Sequence, residues 1–178
     1  MAAFQMSYVG NMLSDPDGSK GPLIMRGLIA AATAIEKGEM LELTGNTNTE
    51  YVPMDSDYDM GDGTSCMVFA WEDKSASDRL GYYKIAVPRP GDMWSFPLAA
   101  AGQTAVGTAL YYSSSKAVTV SAGSNIIGNA CGQDHYPDFQ GHVAKDAGPD
   151  MGTTIKSQSY VIMTVQPSNS LYGIIQTA

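Results

Sequence analysis

Charge, cysteine, histidine and long apolar runs are all scarce in this chain. Only 16% of its residues are charged, against the usual quarter. Ten Lys and Arg face 18 Asp and Glu, for a net charge of −8 and a pI near 4.5. Such an acidic balance lacks the electrostatic footprint for nucleic acid or anionic lipid. Two cysteines, Cys66 and Cys131, are too few for a disulfide framework, and two buried reduced thiols are expected. The best apolar stretch, Leu23 to Ile35, contains Arg26 and is too short to span a bilayer. Residues 1–22 have no Lys before position 20 and no continuous apolar run, so they do not read as a secretory signal. A soluble, cytoplasmically made protein without a membrane partner is the expectation.

What the sequence does hold is small and turn-forming. Nineteen Gly, nine Pro and ten Tyr among 178 residues suit a loop-rich β protein better than a helix bundle. Residues 1–22 read as an extended N-terminal arm ahead of a single β domain over 23–178. The arm carries Phe4, Met6, Tyr8, Val9, Met12 and Leu13 among polar residues, enough apolar surface to dock and too little to fold alone. It is expected to be mobile until it docks; a first strand already stitched into the sheet is the alternative. In residues 23–35 the spacing of Leu23, Ile24, Leu28, Ile29, Ala32 and Ile35 fits a helix starting at Pro22 and ending before Gly38. Gly27 interrupts it, and a strand followed by a turn fits the same residues.

Beyond a loop at 46–66, strand patterns dominate. Met67, Phe69 and Trp71 alternate, as do Tyr83, Ile85 and Val87, then Trp94, Phe96 and Leu98. Leu110 and Tyr112 precede a Ser113–Lys116 turn, after which Val118 and Val120 resume the pattern; Ile126–Ala130 and Val161, Met163 and Val165 complete it. Period-two runs separated by turn residues predict an all-β sandwich or small barrel with at most one short helix. A second long loop is expected over 132–159. One faint echo links Thr33–Leu41 to Thr104–Leu110, each placing a Gly just before a strand. Duplication and chance account for it equally well.

Candidate chemistry is thin. Asp55 to Asp59 begin like a calcium loop, but Met60 stands where the sharp turn needs Gly and Cys66 where a closing Glu should be. Cys131, His135 and His142, with Asp134 or Asp138, contain metal-ligating types without metal-ligand spacing. No nucleophile elbow, zincin helix, P-loop or dinucleotide fingerprint occurs, so no catalytic residue, metal or cofactor is assigned. Asp73 and Asp92 carry no weight as a glycosidase pair. Trp71, Tyr82, Tyr83, Trp94 and Phe96 would suit a sugar platform, but at strand spacing such residues are more often core.

The segments AAATAIEKGEMLELTG (30–45), GTALYYSSSKAVTV (107–120) and NIIGNA (125–130) resemble the capsid decoration, or cement, proteins of tailed bacteriophages. Lys37-Gly38, Met40-Leu41, Gly91, Gly107 to Tyr111 and Ile127 to Ala130 fill the places of that family's strand rhythm, and YVIMTV at 160–165 fills its last strand. The resemblance covers roughly residues 28–131 and 159–166. It implies a sandwich or tulip-like barrel, usually trimeric, on the outer surface of the phage head. There the protein would bridge major capsid subunits and stiffen the shell, with no catalytic residue and no cofactor. In that setting the arm residues Phe4 to Leu13 become the expected capsid or neighbour-subunit contact. The competing expectation is a virion-displayed glycan-binding or host-adhesion module.

Overall fold

A computed structural model of the chain describes residues 6–14, 18–43, 50–55, 66–102, 104–123, 125–132 and 158–165. Among them are eleven strands and no helix. They are β1 (Ser7–Asn11), β2 (Leu23–Ile29), β3 (Met40–Leu43), β4 (Tyr51–Pro53), β5 (Met67–Ala70), β6 (Gly81–Val87), β7 (Asp92–Gly102), β8 (Ala109–Ser114), β9 (Ala117–Thr119), β10 (Ile126–Gly132) and β11 (Gln158–Val165). The fold is all-β, as the period-two pattern predicts.

Strands β2-β4-β3-β5-β6 close into a barrel, and the remaining strands order as β1-β7-β11-β10-β8-β9. An additional β7–β9 pairing closes β7, β11, β10, β8 and β9 into a second ring. The two rings are the same structure, strand for strand. β2 runs antiparallel to β6 and parallel to β4, as β7 does to β11 and β9. The register also agrees residue by residue. Ile29 meets Tyr51 as Leu98 meets Val118, Leu43 meets Tyr51 as Tyr112 meets Val118, and Ala70 meets Ile85 as Ala130 meets Met163. One interval separates the counterparts in the first half of each barrel (98 − 29 = 107 − 38 = 110 − 41 = 69).

The faint echo in the sequence is the entrance to β3 and β8. Gly38 and Gly107 have φ of 94° and 88°, where a side chain would be strained. Each donates its N–H to a strand alanine, Ala70 O and Ala130 O, both at 2.7 Å. Each alanine N–H returns a bond of 2.9 Å to the residue after the glycine, Glu39 or Thr108. The structural alignment therefore pairs Glu36–Leu41 with Ala105–Leu110, two residues out of step with the alignment the Thr-Ala pairs suggest. An internal repeat accounts for the glycines of the echo, and the Thr-Ala pairs fall outside it.

Ile29, Leu41, Tyr51, Val68, Ala70, Ile85 and Val87 fill the first barrel. The second barrel's filling, including Phe96, Leu98, Leu110, Val118, Ala130, Val161 and Met163, runs on into Met40, Met54, Met67 and Phe69 of the first. The single domain expected over 23–178 is thus two barrels joined by one continuous apolar cluster. Phe69 lies 4.7 Å from Trp94 and 5.7 Å from Phe96, ring centre to ring centre, at that junction. Polar bonds fasten the same junction. Met40 N–H donates to Ser115 O at 2.7 Å, Ser115 Oγ to Glu39 Oε1 at 2.6 Å, and Lys116 pairs with Glu36 at 2.9 Å.

Four expectations need correction. The stretch after Pro22 is a strand, β2, because inward Leu23, Gly27 and Ile29 line a barrel while Ile24 and Arg26 face out. The N-terminal arm is not separate from the core: Ser7–Asn11 is β1, paired with β7, and Val9 is buried against Met93 and Ile162. Within the 46–66 loop, Tyr51–Pro53 is strand β4, held between β2 and β3. Val120 leaves the alternation and is exposed. The calcium-like residues after Asp55, the two histidines, and the 132–159 loop between its strand ends lie outside the described residues.

Candidate interaction surface

β1 is anchored by a buried carboxylate. Asp92 opens β7, its side chain fully enclosed. Its Oδ1 accepts from Asn11 Nδ2 at 2.8 Å, Tyr8 Oη at 3.3 Å and Arg89 Nη2 at 3.2 Å; its Oδ2 accepts from Arg89 N at 2.8 Å and Nε at 3.2 Å. Arg89 Nη2 also donates to Tyr8 Oη at 3.1 Å and to Gly21 O at 3.1 Å. A buried charge is tolerated only when paired and fully hydrogen-bonded, and this one is. The Asp92 hydrogen bond raises the Arg89 pKa above its ordinary value, so the guanidinium stays charged at any accessible pH.

The same network presents an apolar tip. Asn11 Oδ1 accepts from Leu13 N at 2.9 Å and Ser14 N at 3.1 Å, an Asx turn, while Met12 N donates to Gly91 O at 2.9 Å. These bonds hold Met12 at 45% exposure and Leu13 at 77%. A Cβ on Gly91 would come within 3.0 Å of the Leu13 side chain, and its φ is +81°.

The expected contact residues therefore separate. Met12 and Leu13 stand at the surface. Tyr8 is half-buried edge-on to Trp94 at 5.1 Å, Met6 packs against the main core, and Val9 is buried. Phe4 lies outside the described residues. Asp92, Asn11 and Arg89 are what sequence reading missed. In an acidic chain one more aspartate carries no signal.

The five aromatic residues of the candidate sugar platform do not share an open face. Trp94 and Phe96 are buried, Trp71 is half-covered with Lys37 Nζ 4.9 Å from its ring centre, and only Tyr82, at 65%, is well exposed. Trp94 Nε1 is buried without a hydrogen-bond partner. Lys74 is buried too, its ammonium bonded to Thr33 O, Ser75 O and Asp78 O at 2.9–3.3 Å and 5.9 Å from the Tyr83 ring centre. It ties two turns together.

Both thiols are free. Burial pushes Cys131 up to about 12, and its Sγ donates to Ile162 O at 3.5 Å. Cys66 is raised by burial, partly offset by Tyr51 Oη at 3.9 Å; Tyr51 is raised by its own burial and by the neighbouring thiol. Protonated thiols are poor nucleophiles and poor metal ligands. Among the described residues no three His, Cys, Asp or Glu side chains converge as a metal site.

No family model, curated protein or solved structure matches the chain.

Proposed function

We propose that this protein is a structural component of a phage virion that binds the outer capsid surface, bridges major capsid subunits and acts without catalysis. The strand rhythm of 30–45, 107–120 and 125–130 motivates the reading. The observation that carries it furthest is the apolar tip: Met12 and Leu13, two of the expected contact residues, are exposed on a turn hydrogen-bonded to Asn11 and Gly91. A turn whose backbone is already hydrogen-bonded gives up little backbone entropy on docking, which suits a contact that must stiffen a shell. In this reading the protein assembles as a trimer on the particle.

Co-sedimentation with expanded phage heads tests the proposal. The native chain should pellet with the heads. The double variant Met12→Asp, Leu13→Asp should stay in the supernatant with an unchanged melting temperature. A native chain that fails to pellet, or a variant that pellets equally well, contradicts it. A glycan array offers the competing reading its chance, and the dispersal of Trp71, Tyr82, Tyr83, Trp94 and Phe96 predicts no signal there.

A further inference from the structure

The internal repeat shows where the first barrel lacks something the second has. β2 and β7 superpose in register, Leu23–Ile29 on Asp92–Leu98. On one side each is flanked by its antiparallel neighbour, β6 or β11. On the other side β4 or β9 joins only at Ile29 or Leu98. Ahead of that point β7 is covered by β1, through Ser7–Ser95, Tyr8–Trp94, Gly10–Met93 and Asn11–Asp92. Among the described residues, no strand covers the corresponding stretch of β2, Leu23–Arg26. Exposure follows that difference. Met93 and Trp94 are at most 1% exposed, while their counterparts Ile24 and Met25 are 36% and 45% exposed.

The side chains say what kind of strand would fit. Where Asp92 fastens Asn11 and Tyr8, the first barrel has Leu23; where Trp94 takes the Tyr8 ring, it has Met25. A copy of β1 would bury the Asn11 amide against Leu23 without its carboxylate, so β1 of a second molecule is a poor occupant. Outside the barrel Arg26 lies directly across from Lys84 in the β2–β6 register. Like charges opposite one another destabilise a sheet, and among the described residues neither side-chain cation forms an ion pair, Glu72 Oε1 accepting instead from the Lys84 backbone N–H at 2.7 Å. With Glu72 counted, Arg26 and Lys84 still leave one net positive charge here on a chain of net charge −8, beside a backbone edge that no described strand covers. The same two cations argue against β2 pairing with β2 of another copy, which would bring four of them together.

We infer that Leu23–Arg26 is a strand-docking edge for an extended segment of another protein, antiparallel to β2, with apolar residues facing Leu23 and Met25 and an acidic residue facing Arg26. Backbone hydrogen bonds along an open edge supply affinity in such additions, and alternate side chains supply selectivity. The inference does not depend on the capsid reading, because the tip at Met12 and Leu13 belongs to the second barrel's covering strand.

The test uses the full chain and a capped peptide of alternating glutamate and valine with a central tyrosine, followed by amide NMR. Saturable shifts should appear at residues 23–26 and at Lys84. A peptide with lysine for glutamate should bind at least about tenfold more weakly, and the exchange Arg26→Glu with Lys84→Glu should invert that order. Both positions are exposed, so the variant keeps its fold. An N-methylated glutamate peptide, unable to form the backbone ladder, should not bind. No saturable shift at millimolar peptide, shifts centred elsewhere, or equal binding of the N-methylated peptide would each overturn the inference. The first result would assign Arg26 and Lys84 the lesser role of guarding an edge against aggregation.

Discussion

The two barrels share every strand pairing, yet they solve the same packing problem with opposite side chains. In the first, Gly27 leaves room for the ring of Tyr51, which a Cβ on Gly27 would approach within 2.8 Å. In the second, the counterpart of Gly27 is Phe96 and the counterpart of Tyr51 is Val118. One large and one small residue fill the space in each case, with their places exchanged. The edges differ in the same spirit. Asp92 seals the second barrel by fastening β1, while at Leu23 no strand among the described residues seals the first. Backbone register and the glycine entry to β3 and β8 are what the repeat preserves; volume and charge are free to move within it.

The largest expected effect comes from forcing a first-barrel residue on the second. Gly128 occupies the place of Val68, but a Cβ there would sit 1.9 Å from Thr164 O. That atom is backbone and cannot step aside, so Gly128→Val should abolish cooperative folding of the second barrel in urea titrations. Asp92→Ala follows. Asp92 is enclosed while Arg89 is partly exposed, so loss of the carboxylate strands the Asn11 amide and the Arg89 N–H more than a buried charge and costs about 2–3 kcal/mol, a fall of roughly 8 °C in Tm for a chain of this size. Leu23→Ala, its half-buried counterpart, should cost about 1 kcal/mol.

The exchanged pair predicts a coupling. Gly27→Phe overfills the first barrel and Tyr51→Val hollows it, each destabilising by about 2–3 kcal/mol. The double variant should recover at least about 1 kcal/mol relative to their sum, measured as a double-mutant cycle. Strict additivity would mean the two positions do not share one space.

Alkaline stability gives the smallest effect. The Cys131 thiol is raised in the fold, so the unfolded chain loses its proton first. Its contribution is complete below the ordinary value of 9.0 and is lost as pH rises toward about 12. Cys131→Ala should therefore flatten the fall in stability between pH 9 and 10 by about 1 kcal/mol. An unchanged slope in urea titrations would show that the thiol ionises freely in the fold.

Much of this architecture was legible because most strands have one face in a barrel and the other elsewhere. Tyr83, Ile85 and Val87 alternate with Tyr82, Lys84 and Ala86 for that reason. β2 was harder, since outward Ile24 and Leu28 beside inward Leu23 and Ile29 mimic helical spacing. β1 hid because its pairing with β7 shifts register between Tyr8 and Gly10, which breaks the period. The repeat was almost invisible. Its conserved content is register, and only Gly38 and Gly107 carry a backbone requirement strong enough to fix a residue type. In the candidate surface, the apolar character of Met12 and Leu13 was readable, whereas the burial of Val9 depends on Met93 and Ile162 far away in sequence.

Amide hydrogen exchange, resolved residue by residue, compares the two edges most directly. With strands on both sides, Met93 to Ser95 should exchange slowly throughout. In Leu23 to Arg26 protection should alternate, slow where the N–H faces β6 and fast where it faces the open side. Uniform protection across Leu23 to Arg26 would contradict the claim that β1 seals one barrel while no described strand seals its twin.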